Sequence, residues 1–535
     1  MQVVRPAAAA SLLVTTLLSA CGGGDGGGIV VNPPAPTLPQ LSEAKSGTLR
    51  TCEALAAQFS FDKTQLNSST LVNSGVLKVA GKDIGEHCLV TGNMHQRAGV
   101  NGNYAIGFEM RMPKNWNGRF FYQANGGSDG NVNTATGDNG GGGPLNNALN
   151  MGFAVISSDA GHNGAQNAAG INNFGVDPQA RLDYGYQAVG KLTPMAKSLI
   201  TAAYGRAADR SYIGGCSNGG RHTMVAASRY AADYDGFLVG NAGFNLPLAA
   251  TANIAGYQKY QSLASKPGDA GSGFSQDERA TVVKAVLGKC DALDGAVDGM
   301  VQNTAACKTA FDLQRDVPTC TSASARDGSC LTAEQKTGIG ELFSGARTAS
   351  GKKIYASWPY DNGIQTGGWS FWKFVVPGIL DSVAVGQIWM TPPNPSNLST
   401  LKGRGAKMMV YHGTADPIFS SDDTANWYDS LSKANSGDAS NFARYYQVPG
   451  MNHCAGGPST DQFDMLSPLV EWVEKGKAPA EIVATARGTG NAGGVNTDLP
   501  SDWAADRSRP LCVYPKVARY KGSGSMEVAS NFSCQ

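Results

Sequence analysis

Apolar residues in this chain come in short blocks. From Tyr104 to Met112 they alternate, with Ile106, Phe108, Met110 and Met112 in step, the period-two pattern of a strand. Brief apolar runs follow at Phe120 to Tyr122, Phe153 to Ile156, Tyr212-Ile213, Phe237 to Val239, Met408 to Tyr411 and Tyr445 to Val448. Between several of them the period becomes helical. Tyr184 to Tyr204 carries Val189, Leu192, Met195 and Leu199 at that spacing, and Phe463, Leu466, Val470 and Val473 repeat it. Strands alternating with helices predict an α/β protein whose mostly parallel sheet is covered on both faces. His87 and His95 lie before this alternation and are read as preceding the sheet proper.

The alternation stops after Phe237 to Val239 and resumes at Met408. The stretch between, 246–395, holds four cysteines, an acidic Gly-rich loop and the aromatic cluster GGWSFWKF. It is expected to be a lid domain inserted into a catalytic core of residues 46–245 and 396–535. An unrelated second domain is the alternative.

The first 21 residues form an export signal. Arg5 supplies positive charge, and Ala7 to Leu18 is apolar but too short for a permanent membrane span. The ending Leu18-Ser19-Ala20-Cys21 resembles a bacterial lipobox, which implies lipidation of Cys21 and an outer-membrane anchor. Ordinary secretion to the periplasm or beyond, in a Gram-negative bacterium, is the alternative. Residues 22–45 are rich in Gly and Pro and are expected to be a flexible tether. Removing Cys21 from eleven cysteines leaves ten, an even number in an exported chain. The neighbours Cys52 and Cys88, Cys290 and Cys307, Cys320 and Cys330, and Cys512 and Cys534 invite pairing, though sequence alone does not give it. That leaves Cys216 and Cys454. With 43 Lys and Arg against 42 Asp and Glu, the 535-residue chain has no charge to favour nucleic acid.

Gly215-Cys216-Ser217-Asn218-Gly219 has the G-x-S-x-G spacing of a serine nucleophile on a strand-to-helix turn. Ser211 to Ile213 can supply the strand and Arg221 to Tyr230 the helix. A serine hydroxyl needs a base, and in α/β-hydrolases the chain order is serine, acid, histidine. His453 follows a late strand and is the expected base; Asp416, in HGTADP after Met408 to Tyr411, is the expected acid. His162 and His412 are read as structural, and His222, five residues past Ser217, as pointing elsewhere. The oxyanion donors are expected at the Asn218 amide and at Gly126 or Gly127, on the loop after Phe120 to Tyr122. If Ser217 and His453 lie within hydrogen-bond reach, Cys216 and Cys454 are drawn together as well. A bridge between them is one outcome and two buried free thiols the other.

These residues resemble the tannase and feruloyl esterase family. Cys216-Ser217, Asp416 and His453-Cys454 match its Cys-Ser-Asp-His arrangement, and the likeness runs from about residue 50 to 535. It implies an α/β-hydrolase core with a large lid, and hydrolysis of aromatic acid esters through an acyl-enzyme. It also implies a structural Ca²⁺ in the lid, held by Asp291, Asp294 and Asp298 with the carbonyls of Ala296 and Met300. Solvated Asp-Gly turns are the plainer reading of that loop. Trp369, Phe371 and Trp372 are expected to wall a flat acyl group, ordinary packing being the alternative. The family's terephthalate-monoester branch uses a lid arginine and a glutamate after the nucleophile. Here Asn218 stands at the second position, and Lys373 is the only basic residue between Ala356 and Met390. A phenolic or neutral aromatic ester therefore fits better, with the monoester as alternative. A non-catalytic binding lipoprotein of hydrolase fold would lack reason to retain the triad. A peptidase shares the triad but not the Cys-Ser and His-Cys pairs.

Overall fold

Nine strands make the central sheet of the computed structural model, which describes residues 38–164, 173–321, 325–379 and 390–535. The signal, Cys21 and most of the tether lie outside the described residues. In chain order the strands are β1 (Thr64–Val72), β2 (His87–Gly99), β3 (Gly102–Pro113), β4 (Arg119–Gln123), β5 (Ala154–Ser158), β6 (Arg210–Cys216), β7 (Gly236–Gly240), β8 (Lys407–Gly413) and β9 (Ala443–Val448). Their spatial order is β9-β8-β7-β6-β4-β5-β3-β2-β1. From β9 to β5 all neighbours are parallel. From β5 to β1 they are antiparallel.

Residues in β5, β7 and β8 are buried throughout, which is why they read as unbroken apolar runs. β1 and β2 differ. Much of β1 and the end of β2 are part-exposed and polar, so no apolar run marks them. This corrects the reading of His87 and His95, which lie on β2 within the sheet. His87 is buried, with Nδ1 against the Gly85 carbonyl and Nε2 against Arg111. His95 sits at φ 52° where the β2–β3 register slips.

Helices α1 (Ala188–Tyr204) and α2 (Asn218–Arg229) precede and follow β6. Between β7 and β8 come α3 (Leu246–Ser262), α4 (Gln276–Cys290) and α5 (Ala333–Phe343), with shorter turns. Capping boxes start α4 (Ser275 with Glu278) and α5 (Thr332 with Gln335). This insert shares one continuous core with the sheet: Phe237 and Val239 belong to the same buried cluster as Ala249, Val282 and Ile339. After β8 come α6 (Ser421–Ala434) and α7 (Leu466–Lys475). A ribbon of β10 (Glu481–Thr485) and β11 (Ser508–Cys512) follows, and a short antiparallel pair, Ala518–Tyr520 with Phe532–Cys534, ends the chain.

Five disulfides join Cys52 to Cys88, Cys216 to Cys454, Cys290 to Cys307, Cys320 to Cys330 and Cys512 to Cys534. Residues 38–45, the end of the expected tether, are docked on the body: Gln40 Nε2 donates to the Val473 carbonyl at 2.9 Å and the Ala44 amide to Glu474 at 2.8 Å. Among the described residues no helix is long and apolar enough to cross a membrane.

Candidate active site

β6 ends at Cys216 and α2 begins at Asn218, leaving Ser217 alone at the turn with φ 64° and ψ −124°. That conformation strains any residue bearing a Cβ. The flanking glycines are required by crowding. A Cβ on Gly215 would stand 2.2 Å from the Ala124 carbonyl oxygen, and one on Gly219 2.1 Å from the same atom. The turn therefore presses against the end of β4.

His453 reaches this turn from the loop after β9, and Asp416 from the loop after β8. His453 Nε2 lies 2.7 Å from Ser217 Oγ, and Nδ1 lies 2.8 Å from Asp416 Oδ2. The Asp416 side chain is fully buried. Its Oδ1 accepts from the amides of Ile418 and Phe419 at 2.9 and 3.1 Å, and Oδ2 accepts from Asn241 Nδ2 at 2.8 Å. Burial alone would raise its carboxyl, but the His453 and His412 rings outweigh that and hold it well below the usual carboxylate range. The arrangement keeps an acceptor on Nδ1, so the lone pair of Nε2 faces the serine proton.

Of two further supports, one was read as structural and the other carried no signal. His412, read as structural, bonds Thr424 Oγ1 and the Phe419 carbonyl and also lies 3.3 Å from Asp416 Oδ2. Asn241 follows β7 at φ 35°, and only its place beyond a strand end, beside those of β6 and β8, marks it.

Gly126 overhangs the nucleophile. A Cβ there would be 3.8 Å from Ser217 Cβ. Gly127 takes φ 64°. Asn218 opens α2, so its amide is one of the unshared N–H groups at a helix start. Its side chain turns away, with Oδ1 accepting from Arg221 and Nδ2 donating to Asp129. Cys216 and Cys454 are 6.1 Å apart between Cα atoms and join the two residues flanking the Ser217–His453 contact.

A cleft of about 370 Å³ opens over Ser217, lined by Gly126, Gly127, Thr134, Asp138, Trp372 and His453 among others. Among the described residues no lysine or arginine lines it. Of the three expected wall residues, Trp372 alone does, with its ring 4.5 Å from that of His453. Trp369 is a correction: it is 3% exposed and packs edge-on against Phe274 and Phe374 in the insert core. Phe371 is half-exposed and touches Trp372 edge-on, outside the cleft lining. Phe371 lies two positions from Trp369 and one from Trp372, so helical spacing puts it on neither ring's face, and the helix changes pitch between Ser370 and Phe371, which parts the two tryptophans. Lys373 is also withdrawn. It is buried, donates to the Pro417 carbonyl at 3.0 Å and lies over the Trp358 ring, and burial pushes it down to about 7.

In the acidic loop, Asp291, Asp294 and Asp298 are buried together. Asp291 accepts from the amides of Asp298 and Gly299, and Asp298 pairs with buried Arg509. Asp294 Oδ2 is buried without a hydrogen-bond partner, and burial, with the Asp298 and Asp291 charges adding, pushes this carboxyl up to about 7. Among the described residues no three acidic, histidine or cysteine side chains converge on one point. The unpartnered Asp294 oxygen, in a loop with two further buried carboxylates, is of the oxygen chemistry that a hard cation takes.

The mixed sheet with its parallel half from β5 to β9, the strained serine turn and the serine–histidine–aspartate chain define an α/β-hydrolase. The tannase and feruloyl esterase family model matches residues 88–382 and 390–535. The chain belongs to that family and is a carboxylic ester hydrolase. Mono(2-hydroxyethyl) terephthalate hydrolase from Piscinibacter sakaiensis is 37% identical, over 84% of this chain and 85% of its own. Feruloyl esterase B from Aspergillus niger is 26% identical, over 80% and 83% respectively. In fold, the chain matches the crystal structure of feruloyl esterase B from Aspergillus oryzae at TM-score 0.71 and 23% identity, over 90% of this chain and 99% of that one.

Proposed function

We propose that this protein hydrolyses esters of aromatic carboxylic acids through an acyl-enzyme on Ser217. His453 Nε2 takes the Ser217 proton as Oγ attacks the ester carbonyl. The tetrahedral oxyanion is met by the amides of Asn218 and of Gly126 or Gly127. As the C–O bond to the alcohol breaks, His453 returns the proton to the leaving oxygen. Water, deprotonated by His453, then attacks the acyl-enzyme, and His453 gives that proton to Ser217 Oγ as the bond to it breaks and the acid is released. Asp416 orients the imidazole and stabilises its cation. The observation that carries this reading is the Ser217–His453–Asp416 chain of 2.7 and 2.8 Å contacts beneath an overhanging glycine loop.

Trp372 supports an aromatic acyl group, since its face and edge suit a flat ring beside the nucleophile. The terephthalate monoester is the second reading, favoured by the 37% identity to its hydrolase. The lack of a cation lining the cleft among the described residues weighs toward neutral esters. The test is a panel of methyl ferulate, methyl gallate, and mono- and bis(2-hydroxyethyl) terephthalate, with S217A as control. Turnover of the neutral esters above the monoester supports the first reading. Neglect of all four refutes the substrate class, and absence of a fluorophosphonate adduct on Ser217 in folded protein refutes the mechanism.

Two further parts belong to the proposal. Ca²⁺ sits in the acidic loop, held by Asp291, Asp294, Asp298 and the carbonyls of Ala296 and Met300, where it neutralises the carboxylates and fixes the insert against β11. The chain is exported and anchored through lipid on Cys21. Mass spectrometry of the mature N-terminus tests the anchor, and an unmodified Cys21 would exclude it.

A further inference from the structure

Behind the oxyanion loop lies a buried polar cluster that the reaction does not use directly. Asp129 stands three residues after Gly126, at φ 54°, and its amide closes a turn onto the Gly126 carbonyl at 3.4 Å. Its side chain is only 2% exposed. One oxygen, Oδ2, accepts from Asn218 Nδ2 at 2.7 Å and meets His222 Nε2 at 2.8 Å. Both partners lie on the first turns of α2. Asn218 is fixed in turn: Arg221 Nε donates to its Oδ1 at 2.6 Å, and the buried guanidinium is held by the Tyr184 and Gly185 carbonyls at 2.9 Å.

Burial, with the Arg221 charge, lowers the His222 ring below its ordinary value, and because a carboxylate only accepts, the 2.8 Å contact is His222 Nε2–H donating to Asp129. The oxyanion hole has two halves. One is the Gly126-Gly127 loop; the other is the first amide of α2. They belong to distant parts of the sequence, and a single carboxylate ties them together. Donors aimed at an oxyanion are effective only when their spacing is set before the charge develops.

We propose that Asp129, clamped by Asn218 and His222, is a positioning residue that sets the distance between the two oxyanion donors. This rests on the esterase reading above. A carboxylate is suited to the task because its charge strengthens both hydrogen bonds that Oδ2 accepts, and neither of its oxygens is a donor needing a partner. His222 thus acts at one remove from chemistry, through Asp129, although it is five residues from the nucleophile.

The test compares D129A, D129N, H222A and H222Q with the wild type on methyl ferulate. With it goes hydrogen exchange across residues 124–130 and at the Asn218 amide. The expected result is kcat lower by about 10- to 100-fold in D129A, where loss of one oxyanion donor outright costs about 10²- to 10³-fold. KM stays within about twofold, because the ground-state ester does not depend on the donors as the oxyanion does. H222A falls less, and H222Q, which keeps a donor for Asp129, recovers most of the rate. Exchange in the loop quickens in D129A. D129N, which keeps one accepting oxygen without the charge, falls less than D129A; if D129A does not fold, D129S, too short to reach both partners, carries the same comparison. Folded D129A or D129S with kcat within twofold of wild type, or with unchanged exchange in the loop, overturns the proposal. A wild-type protein inert to esters and to fluorophosphonate overturns the esterase reading instead, and the exchange result still decides whether Asp129 ties the loop.

Discussion

Removing the Cys216–Cys454 bridge tests whether the disulfide serves the fold, the triad, or both. The two cysteines are separated by 238 residues. For a loop of that length the chain-entropy model gives roughly 5 kcal/mol, the denatured chain gaining the freedom the bridge denied it. Unfolding entropy scales with chain length, so in a body of this size that loss lowers Tm by about 5 °C. The catalytic effect has a separate origin. Ser217 at φ 64° and Cys454 at φ 66° are both strained, at a cost of about 1–3 kcal/mol each. The bridge joins the two residues that flank the Ser217–His453 contact. Once cut, the histidine loop can relax away from the serine turn, and a displacement of about 1 Å costs on the order of 10²-fold in rate. The assay is C216A/C454A, which leaves no free thiol, followed by near-UV circular dichroism on heating and by ester kinetics. The expected result is the Tm loss together with a 10- to 100-fold lower kcat. C512A/C534A is the control: its 22-residue separation corresponds to about 3 kcal/mol and its bridge is remote from the triad, so it should lower Tm and spare kcat. A double alanine variant with Tm within about 1 °C and kcat within about twofold of wild type would refute both parts of the reasoning, the loop-entropy estimate in the first case and the clamp in the second.

Chelation with EGTA should lower Tm, and added Ca²⁺ should restore it, while D294N should abolish the response; purified protein free of metal by elemental analysis, with Tm indifferent to EGTA, would exclude the ion. Burial pushes the Asp159 carboxyl up to about 8 against about 4 in the unfolded chain, so the folded state holds this proton more tightly. Its contribution is full below pH 4 and falls as pH rises toward 8, at up to about 1.4 kcal/mol per pH unit. D159N removes that slope, so the Tm of D159N relative to wild type should climb between pH 5 and 8, and a constant difference would contradict the assignment. W372A should raise KM for aromatic esters by about tenfold and leave short aliphatic esters less affected, with W372F nearly silent, since one lost aromatic contact is worth on the order of 1 kcal/mol beyond its buried area.

What could be read from the sequence, and what could not, follows from where each residue's constraint originates. β5, β7 and β8 were visible because strands buried on both faces need apolar runs. β1 and β2 were not, because their part-exposed residues leave no run to find. Trp369 and Trp372 look alike in GGWSFWKF, and only packing against Phe274 on one side and His453 on the other separates core from cleft. The Asp129–His222 contact crosses 93 positions and obeys no local spacing. Ser217 was legible for a deeper reason than its motif. Both glycines of G-x-S-x-G are demanded by one atom, the Ala124 carbonyl oxygen at the end of β4, which leads into the Gly126-Gly127 loop. A larger residue at Gly215 or Gly219 would push that loop off the nucleophile before it disturbed the turn itself. The glycines therefore record the approach of the oxyanion loop as much as the bend of the chain, and G215A should misplace the oxyanion donors while leaving Ser217 exposed.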